Sequence, residues 1–312
     1  MEFQKHIPVL LQEVLTYLDC SKAGVYLDGT FGAGGYTRAI LDANNQNKVI
    51  SFDRDPGTLE TVNDFKSCYK NRFSFIHDCF GNMASYITEP LDGLVLDLGV
   101  SSMQIDERER GFSFRFEGPL DMRMGQSGVS AKDVVNTFSE KELADILFKY
   151  GEEKASRRIA GSIVKAREKK EISTTTELAE IIHRVMPKPK DGSDSAMRSF
   201  QALRIYVNDE LGELERALEA SKKILKPEGR LVVVTFHSLE DRIVKNFMIQ
   251  NSSLRPNQNR HEAVFFATKD DFLFHVITKK AVLPTKEELL FNSRSHSAKL
   301  RAAIRLGVGS ES

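Results

Sequence analysis

The 312 residues contain only three cysteines, and Cys20, Cys68 and Cys79 stand far apart with no C-x-x-C pair among them. This excludes a disulfide framework or a zinc knuckle as the organising principle and leaves the thiols buried or incidental. Long apolar runs are missing too. Nowhere do about 18 uncharged apolar residues follow one another, as a membrane helix requires, and Met1 to Leu11 carries no apolar stretch of signal-peptide length. No membrane span is expected, and a cytoplasmic location follows. Net charge is also absent, because 44 Lys and Arg balance 44 Asp and Glu. The overall basic footprint that a nucleic-acid partner usually leaves is therefore lacking. Charge is nonetheless segregated locally: Lys149, Lys154, Arg157, Arg158, Lys165, Arg167, Lys169 and Lys170 make one stretch more basic than its surroundings.

What is present is a soluble globular composition, with 41% hydrophobic residues in a chain long enough to bury a substantial core. An amphipathic run from Pro8 to Leu18 leads into the short apolar stretch Val25-Tyr26-Leu27. Three more strand-like runs follow: Val49 to Phe52, Phe73 to Ile76 and Leu94 to Leu96. Each ends in or near an acidic or polar residue and is separated from the next by a helix-length segment, the pattern of a doubly wound α/β fold with a mostly parallel sheet.

The alternation stops after Ser102. Met103 to Gly128 has no sustained period and reads as a long functional loop. Helices come next, one announced by the capping box Ser139 to Glu142 and another by Thr174 with Glu177. A very long helical pattern through Leu203, Val207, Leu211, Leu214 and Leu218 closes at Lys226 to Gly229. Leu231 to Val234 then reads as a fifth buried strand, followed by a helix that Ser238 would cap and a closing pair of strands at Phe272 to Ile277 and Leu300 to Ile304. The simplest account is an α/β domain from residues 1–105 and 200–312, with a helical subdomain, 106–199, inserted after the fourth strand. Such an insertion sits at the sheet edge where open α/β folds bind ligands.

Strand ends supply the chemistry. Asp28-Gly29-Thr30-Phe31-Gly32-Ala33-Gly34-Gly35-Tyr36 follows the first strand and opens a helix, so its backbone can come close to a ligand. Asp53 ends the second strand about 20 residues downstream, where a carboxylate can accept both ribose hydroxyls of an adenosine. A dinucleotide fingerprint would want a small residue at Thr37, which disfavours a nicotinamide-dependent oxidoreductase. S-adenosylmethionine presents an ammonium and a sulfonium, which suit the acidic Asp28. Phe80 stands where an adenine could stack, or where a ring could equally belong to the core, and Asp97-Leu98-Gly99-Val100-Ser101-Ser102 delivers a carboxylate and two hydroxyls to the same rim. His237 ends the fifth strand at the same rim, where it could touch a base or a phosphate or serve as a hydrogen-bonded structural residue. Phe112, Phe114 and Phe116 share the long loop with Arg108, Arg110, Arg115 and Arg123, a mixture suited either to gripping an unpaired base or to anchoring the loop.

These residues resemble one family. The stretches His6 to Leu10, Asp28 to Gly32, Asp53 to Pro56, Asp97 to Ser102, Gly111 to Arg115, Gly118 to Met124, Tyr150 to Glu153, Phe200 to Ile205, Phe236 to Arg242 and Ser297 to Ala303 are similar to those of the ribosomal RNA small subunit methyltransferase H family, over residues 6–306. The resemblance implies a class I methyltransferase (Rossmann-like) fold whose inserted helical domain recognises substrate. It also implies S-adenosyl-L-methionine as cofactor and methylation of N4 of a cytidine in the decoding region of small-subunit (16S) ribosomal RNA. Carried over by motif, the cofactor residues fall on Gly34, Gly35, Tyr36, Asp53, Phe80, Asp97 and Gln104. Tyr36 replaces the family's usual His, Met103 its usual Pro, and Asp194 to Arg198 a common His-Pro-Ala-Thr-Arg run. Methyl transfer from a sulfonium is an in-line displacement, so alignment and exclusion of water matter and no metal is expected. Asp97 with Ser101 and Ser102 forms the expected acceptor set for the cytosine amino protons, with His237 beside it. The target base is expected unpaired or flipped out. A non-catalytic assembly factor is the competing class, and both a homodimer and the choice between free ribosomal RNA and the assembled small subunit are left open.

Overall fold

The computed structural model describes residues 8–187, 192, 194–254 and 272–307. The chain divides into two compact units, one formed by the residues up to Gly99 and from Leu211 onward, the other by Val100–Glu210. Among the described residues no helix is long and apolar enough to cross a membrane.

The first unit is built on a seven-stranded sheet. Its strands are β1 (Val25–Asp28), β2 (Lys48–Phe52), β3 (Phe73–Ile76), β4 (Leu91–Asp97), β5 (Leu225–Thr235), β6 (Phe274–Val276) and β7 (Lys299–Arg305), arranged β3-β2-β1-β4-β5-β7-β6. The first five run parallel, and β7 joins β5 antiparallel with β6 on its far edge. Helices α1 (Leu11–Leu18), α2 (Gly35–Ala43), α3 (Leu59–Tyr69), α10 (Glu210–Ile224), α11 (Ser238–Gln250) and α12 (Lys286–Phe291) accompany the sheet. Alternation along each strand feeds two cores. Tyr26, Val95, Val232 and Val234 pack with Val14, Ile40 and Phe65, while Leu27, Leu94, Leu96, Leu231 and Val233 pack with Leu214, Leu218 and Phe247. Burial on both faces is why the strands read as continuous apolar runs.

The second unit is helical: α4 (Ser102–Asp106), α5 (Ala131–Thr137), α6 (Glu140–Gly151), α7 (Ser156–Arg167), α8 (Thr175–Val185) and α9 (Met197–Asn208). Capping boxes start α5 at Ser130, α6 at Ser139 and α8 at Thr174, satisfying N–H groups that a helix start leaves without intrahelical partners. Leu143, Leu147, Ile159, Ile163, Leu178, Ile182, Phe200 and Leu203 form the core. Asn208 pins the preceding loop to α9: its Nδ2 donates to the Met122 carbonyl at 2.7 Å and its Oδ1 accepts from Met124 N at 2.8 Å.

Three local expectations need correction. The single long helix through Leu203 and Leu218 is two helices, because Asp209 takes a left-handed φ of 48° and its N–H closes α9 on Ile205 and Tyr206. The second of them ends at Ile224, and the chain is already in β5 at Leu225. The long loop after Ser102 opens with α4 and a 3₁₀ turn at Arg108–Arg110.

Candidate active site

The strand order reverses between β1 and β4, so the crevice beyond their carboxyl ends is the ligand position that this architecture offers. Asp28 ends β1 and Asp97 ends β4. Asp28 is fully buried. Its Oδ1 accepts from Thr30 N at 3.1 Å and from the Thr30 hydroxyl at 3.4 Å, and its Oδ2 accepts from the Thr37 hydroxyl at 2.7 Å, which lies 2.7 Å from Ser51 Oγ. Burial raises its pKa against these hydrogen bonds. Both oxygens are thus engaged by the glycine-rich turn and the helix that follows it, and Asp28 fixes the turn's shape. Thr37, the residue that spoils a dinucleotide fingerprint, is a buried part of this network.

Asp97 differs. Its Oδ1 is buried without a hydrogen-bond partner among the described residues, although its backbone N–H donates to Thr30 Oγ1 at 2.8 Å. Burial first, then the nearby Asp28 and Glu240 carboxylates, push its pKa well above the usual range. A buried acceptor left unpaired carries a desolvation penalty, and one next to two further carboxylates is a place where a bound cation restores the ionised form.

Glu240 comes from the start of α11. It is buried, and its Oε2 accepts from Phe236 N at 2.7 Å and His237 N at 3.2 Å. His237 itself caps α11, Nδ1 accepting from Glu240 N at 3.4 Å. The expected cap, Ser238, is instead the first helical residue, and β5 ends two residues before His237, at Thr235. With Nδ1 of His237 accepting, Nε2 carries the ring proton; it lies 3.1 Å from Glu240 Oε1 without hydrogen-bond geometry, so it has a donor to offer.

Asp53 stands just past β2. Its Oδ2 accepts from Gly32 N and its Oδ1 from Asp55 N, each at 2.8 Å. Burial pushes its pKa up to about 6, opposed by those two amides. The side chain is half-buried, and a carboxylate fixed in this way retains lone pairs for a vicinal diol. Gly34 and Gly35 have internal reasons to be glycine. A Cβ on Gly34, at φ +77°, would come within 2.4 Å of the Phe65 ring, and one on Gly35 within 2.3 Å of Pro8. Tyr36 is buried in the core, its hydroxyl donating to the Val9 carbonyl, and burial keeps its phenol protonated far above neutral pH. Only its backbone can face a ligand. Phe80, half-buried, begins a 3₁₀ turn after β3 and packs partly on the Leu94 and Leu96 side of the sheet.

The first unit therefore brings Asp28, Gly34, Gly35, Tyr36, Asp53, Phe80, Asp97 and His237 to the strand-end side of one sheet. Ser101, Ser102 and Gln104 belong to the second unit. Ser101 and Gln104 form the capping box of α4, Gln104 Oε1 accepting from Ser101 N at 3.0 Å and Ser101 Oγ from Gln104 N at 3.3 Å. The Ser102 side chain lies outside the described ones. Thr30 and Glu240 were not read as site residues. Thr30 had a sequence signal, the Asp-x-Thr spacing that lets an Asp oxygen accept the amide two residues on. Glu240 was hidden because His rarely caps a helix.

The arrangement can hold a cation at Asp97 and a diol at Asp53 beside a glycine turn. The profile of the MraW methylase family matches residues 3–306. The chain belongs to the MraW methylase family. Among its relatives, ribosomal RNA small subunit methyltransferase H of Granulibacter bethesdensis is 51% identical over 301 residues, spanning 95% of this chain and 90% of the relative. The protein of that name from Paramagnetospirillum magneticum is 51% identical over 309 residues, spanning 98% and 97%. Among solved structures, a putative methyltransferase from Streptococcus mutans in complex with SAH aligns with a TM-score of 0.44 at 13% identity, over 96% of this chain and 99% of that one. As a methylase with this strand order and an antiparallel closing pair, the first unit has the class I, Rossmann-like fold.

Proposed function

We propose that this methylase transfers a methyl group from S-adenosyl-L-methionine to N4 of a cytidine in the decoding region of small-subunit ribosomal RNA, in the cytoplasm where subunits are assembled. The observation that carries the cofactor half is the unpaired, buried Asp97 oxygen between Asp28 and Glu240. When bound, the cofactor supplies an electrophilic methyl group on a sulfonium. The residues present fit its charge and shape. Asp97 is the acceptor for its positive end, Asp53 for the ribose hydroxyls, and Phe80 offers a ring face for the adenine. Gly34 and Gly35, where a Cβ would meet Phe65 and Pro8, let the turn follow this path beside the strand ends.

For the acceptor half, the N4 lone pair of cytosine is delocalised into the ring and the amino group must be aligned and relieved of a proton. Asp97, once the positive charge of the bound cofactor restores its ionised form, is the proposed acceptor of a hydrogen bond from the amino group and then of its proton. His237 Nε2 is a donor at the same rim for the base or its phosphate, and Ser101 and Ser102 are proposed to complete the acceptor set with Asp97. The names of the relatives support ribosomal RNA as the substrate class, and the choice of N4 and of the decoding region rests on the motif resemblance.

The test is transfer from labelled S-adenosylmethionine to purified small subunits and to free ribosomal RNA, followed by nucleoside analysis. Labelled N4-methylcytidine is expected. Cofactor binding without transfer to either substrate would overturn the catalytic reading in favour of an assembly factor.

A further inference from the structure

The basic stretch of the second unit takes no part in the chemistry above, and the fold gives it a definite shape. Helix α7 contains Arg157, Arg158, Lys165 and Arg167 and no acidic residue. Its Ile159, Ala160 and Ile163 face the core. At 100° per residue, Arg158, Ser162, Lys165 and Lys169 fall in one stripe on another side, roughly 16 Å long if the helical path is continued to Lys169. Arg158, Lys165 and Lys169 are exposed. Between α7 and α8 the stripe borders a groove of about 490 Å³, lined by Ser162, Lys165, Lys169, Glu177, Glu180 and Arg184 among others.

The groove's carboxylates are already matched. Glu177 pairs with Lys170 at 2.5 Å, Glu180 with Arg184 at 3.2 Å, and Glu171 with Lys132 at 3.0 Å. No ion pair among the described residues includes Lys165, Lys169 or Arg158, and the Arg158 guanidinium donates only to Met186 Sδ, at 3.1 Å. Glu168 lies about a quarter-turn away round the helix. A line of unneutralised cations along a helix concentrates positive potential locally even in a chain with no net charge.

We infer that the α7 stripe and the α7–α8 groove bind the phosphodiester backbone of structured RNA, with Arg158, Lys165 and Lys169 each set against a phosphate. The partner is RNA because the unmatched groups are point charges at intervals along a straight line. This suits a repeating anion and carries no sequence information. The inference rests on the methylation reading above and names the surface by which the inserted unit would hold the substrate.

The experiment is an affinity titration of protein-free small-subunit ribosomal RNA across a salt series. It compares the native chain with an Arg158→Gln, Lys165→Gln, Lys169→Gln variant and, as a control, Lys141→Gln, whose cation on α6 pairs with Asp145. Loss of two to three phosphate contacts should weaken binding roughly 10- to 100-fold near 0.1 M salt and flatten the dependence of log K on log salt by about two, since each contact contributes roughly 0.7–0.9 to that slope. The triple variant should bind S-adenosylmethionine as the native chain does and show a raised KM for RNA with kcat retained. A Lys165→Glu, Lys169→Glu variant should lose more affinity still. Unchanged affinity and slope overturn the inference. So does weaker binding to intact subunits with unchanged binding to protein-free RNA, which would indicate an acidic protein partner. A native chain that binds RNA through this stripe yet makes no N4-methylcytidine would refute the methylation reading and leave the surface standing.

Discussion

The Thr30 hydroxyl accepts the Asp97 N–H at 2.8 Å. The same hydroxyl reaches Asp28 Oδ1 at 3.4 Å, so one small side chain ties the carboxyl ends of the two central strands together at the switch point. Thr30→Val keeps the shape and removes the bridge. The unpaired Asp97 amide should cost about 1–3 kcal/mol of stability and free the Asp97 carboxyl to move. Chemical denaturation and cofactor titration should therefore both register the change. Native stability with native cofactor affinity would show that Thr30 holds nothing.

Asp97→Asn separates charge from structure. The ionised carboxylate is disfavoured in the free protein by burial and by Asp28 and Glu240. Replacing it with a neutral isostere should leave the apo protein as stable or more stable at pH 7. Affinity for S-adenosylmethionine should fall by roughly 1.5–3 kcal/mol, about tenfold to a hundredfold, the range for a lost charge-assisted contact. Calorimetry of the apo protein and of binding checks the two halves. A destabilised apo protein with unchanged binding would make Asp97 structural.

Sequence pattern carried the β-strands, the capping boxes at Ser139 and Thr174 and the acidic strand ends, because strand burial on both faces and helix capping are local signals. What it could not carry depends on distant partners. Thr37 and Ser51 meet at Asp28 only once β1, β2 and α2 have packed. The motif resemblance implies a cofactor role for Tyr36, yet its ring belongs to the core beside Val9. The break at Asp209 needs a non-glycine residue in a left-handed conformation, which helical periodicity across Leu203 to Leu218 conceals. The glycines at 34 and 35 looked like room for a ligand, and the structure adds a second reason, room for Phe65 and Pro8.

A pH dependence follows from Asp53. Its folded pKa, raised from 3.8 to about 6, means the group's contribution favours the fold fully below about pH 4 and is lost as pH rises through 6. Cofactor binding runs the other way, because two ribose hydroxyls donate to an ionised carboxylate. Affinity for S-adenosylmethionine should decline as pH falls below about 6, and an Asp53→Asn variant should bind weakly and lose the part of that decline centred near pH 6. A variant whose profile matches that of the native chain would remove Asp53 from the cofactor site.

Asn208 should be among the more sensitive positions of the helical unit. Asn208→Ala removes the donor to Met122 O and the acceptor for Met124 N and leaves those backbone groups to pay for their own burial. The expected loss is about 2–4 kcal/mol, read from denaturant midpoints. Asn208→Asp should recover only part of it, since a carboxylate can accept from Met124 but cannot donate to Met122.

Gly34 distinguishes a turn shaped by ligand from one shaped by packing. With φ at +77° an added Cβ is strained whatever surrounds it, and here it would also meet Phe65 Cζ at 2.4 Å. The left-handed conformation alone costs roughly 1–2 kcal/mol, and displacing a buried ring in the cluster of Phe31, Phe65 and Phe73 adds overpacking of about 1–3 kcal/mol. Gly34→Ala should therefore lower the melting temperature of the cofactor-free protein. A Gly34→Ala, Phe65→Leu double variant should regain the overpacking part and keep the backbone part. If Gly34→Ala instead leaves the cofactor-free protein untouched and weakens only cofactor binding, the glycine is there for the ligand and the packing argument fails.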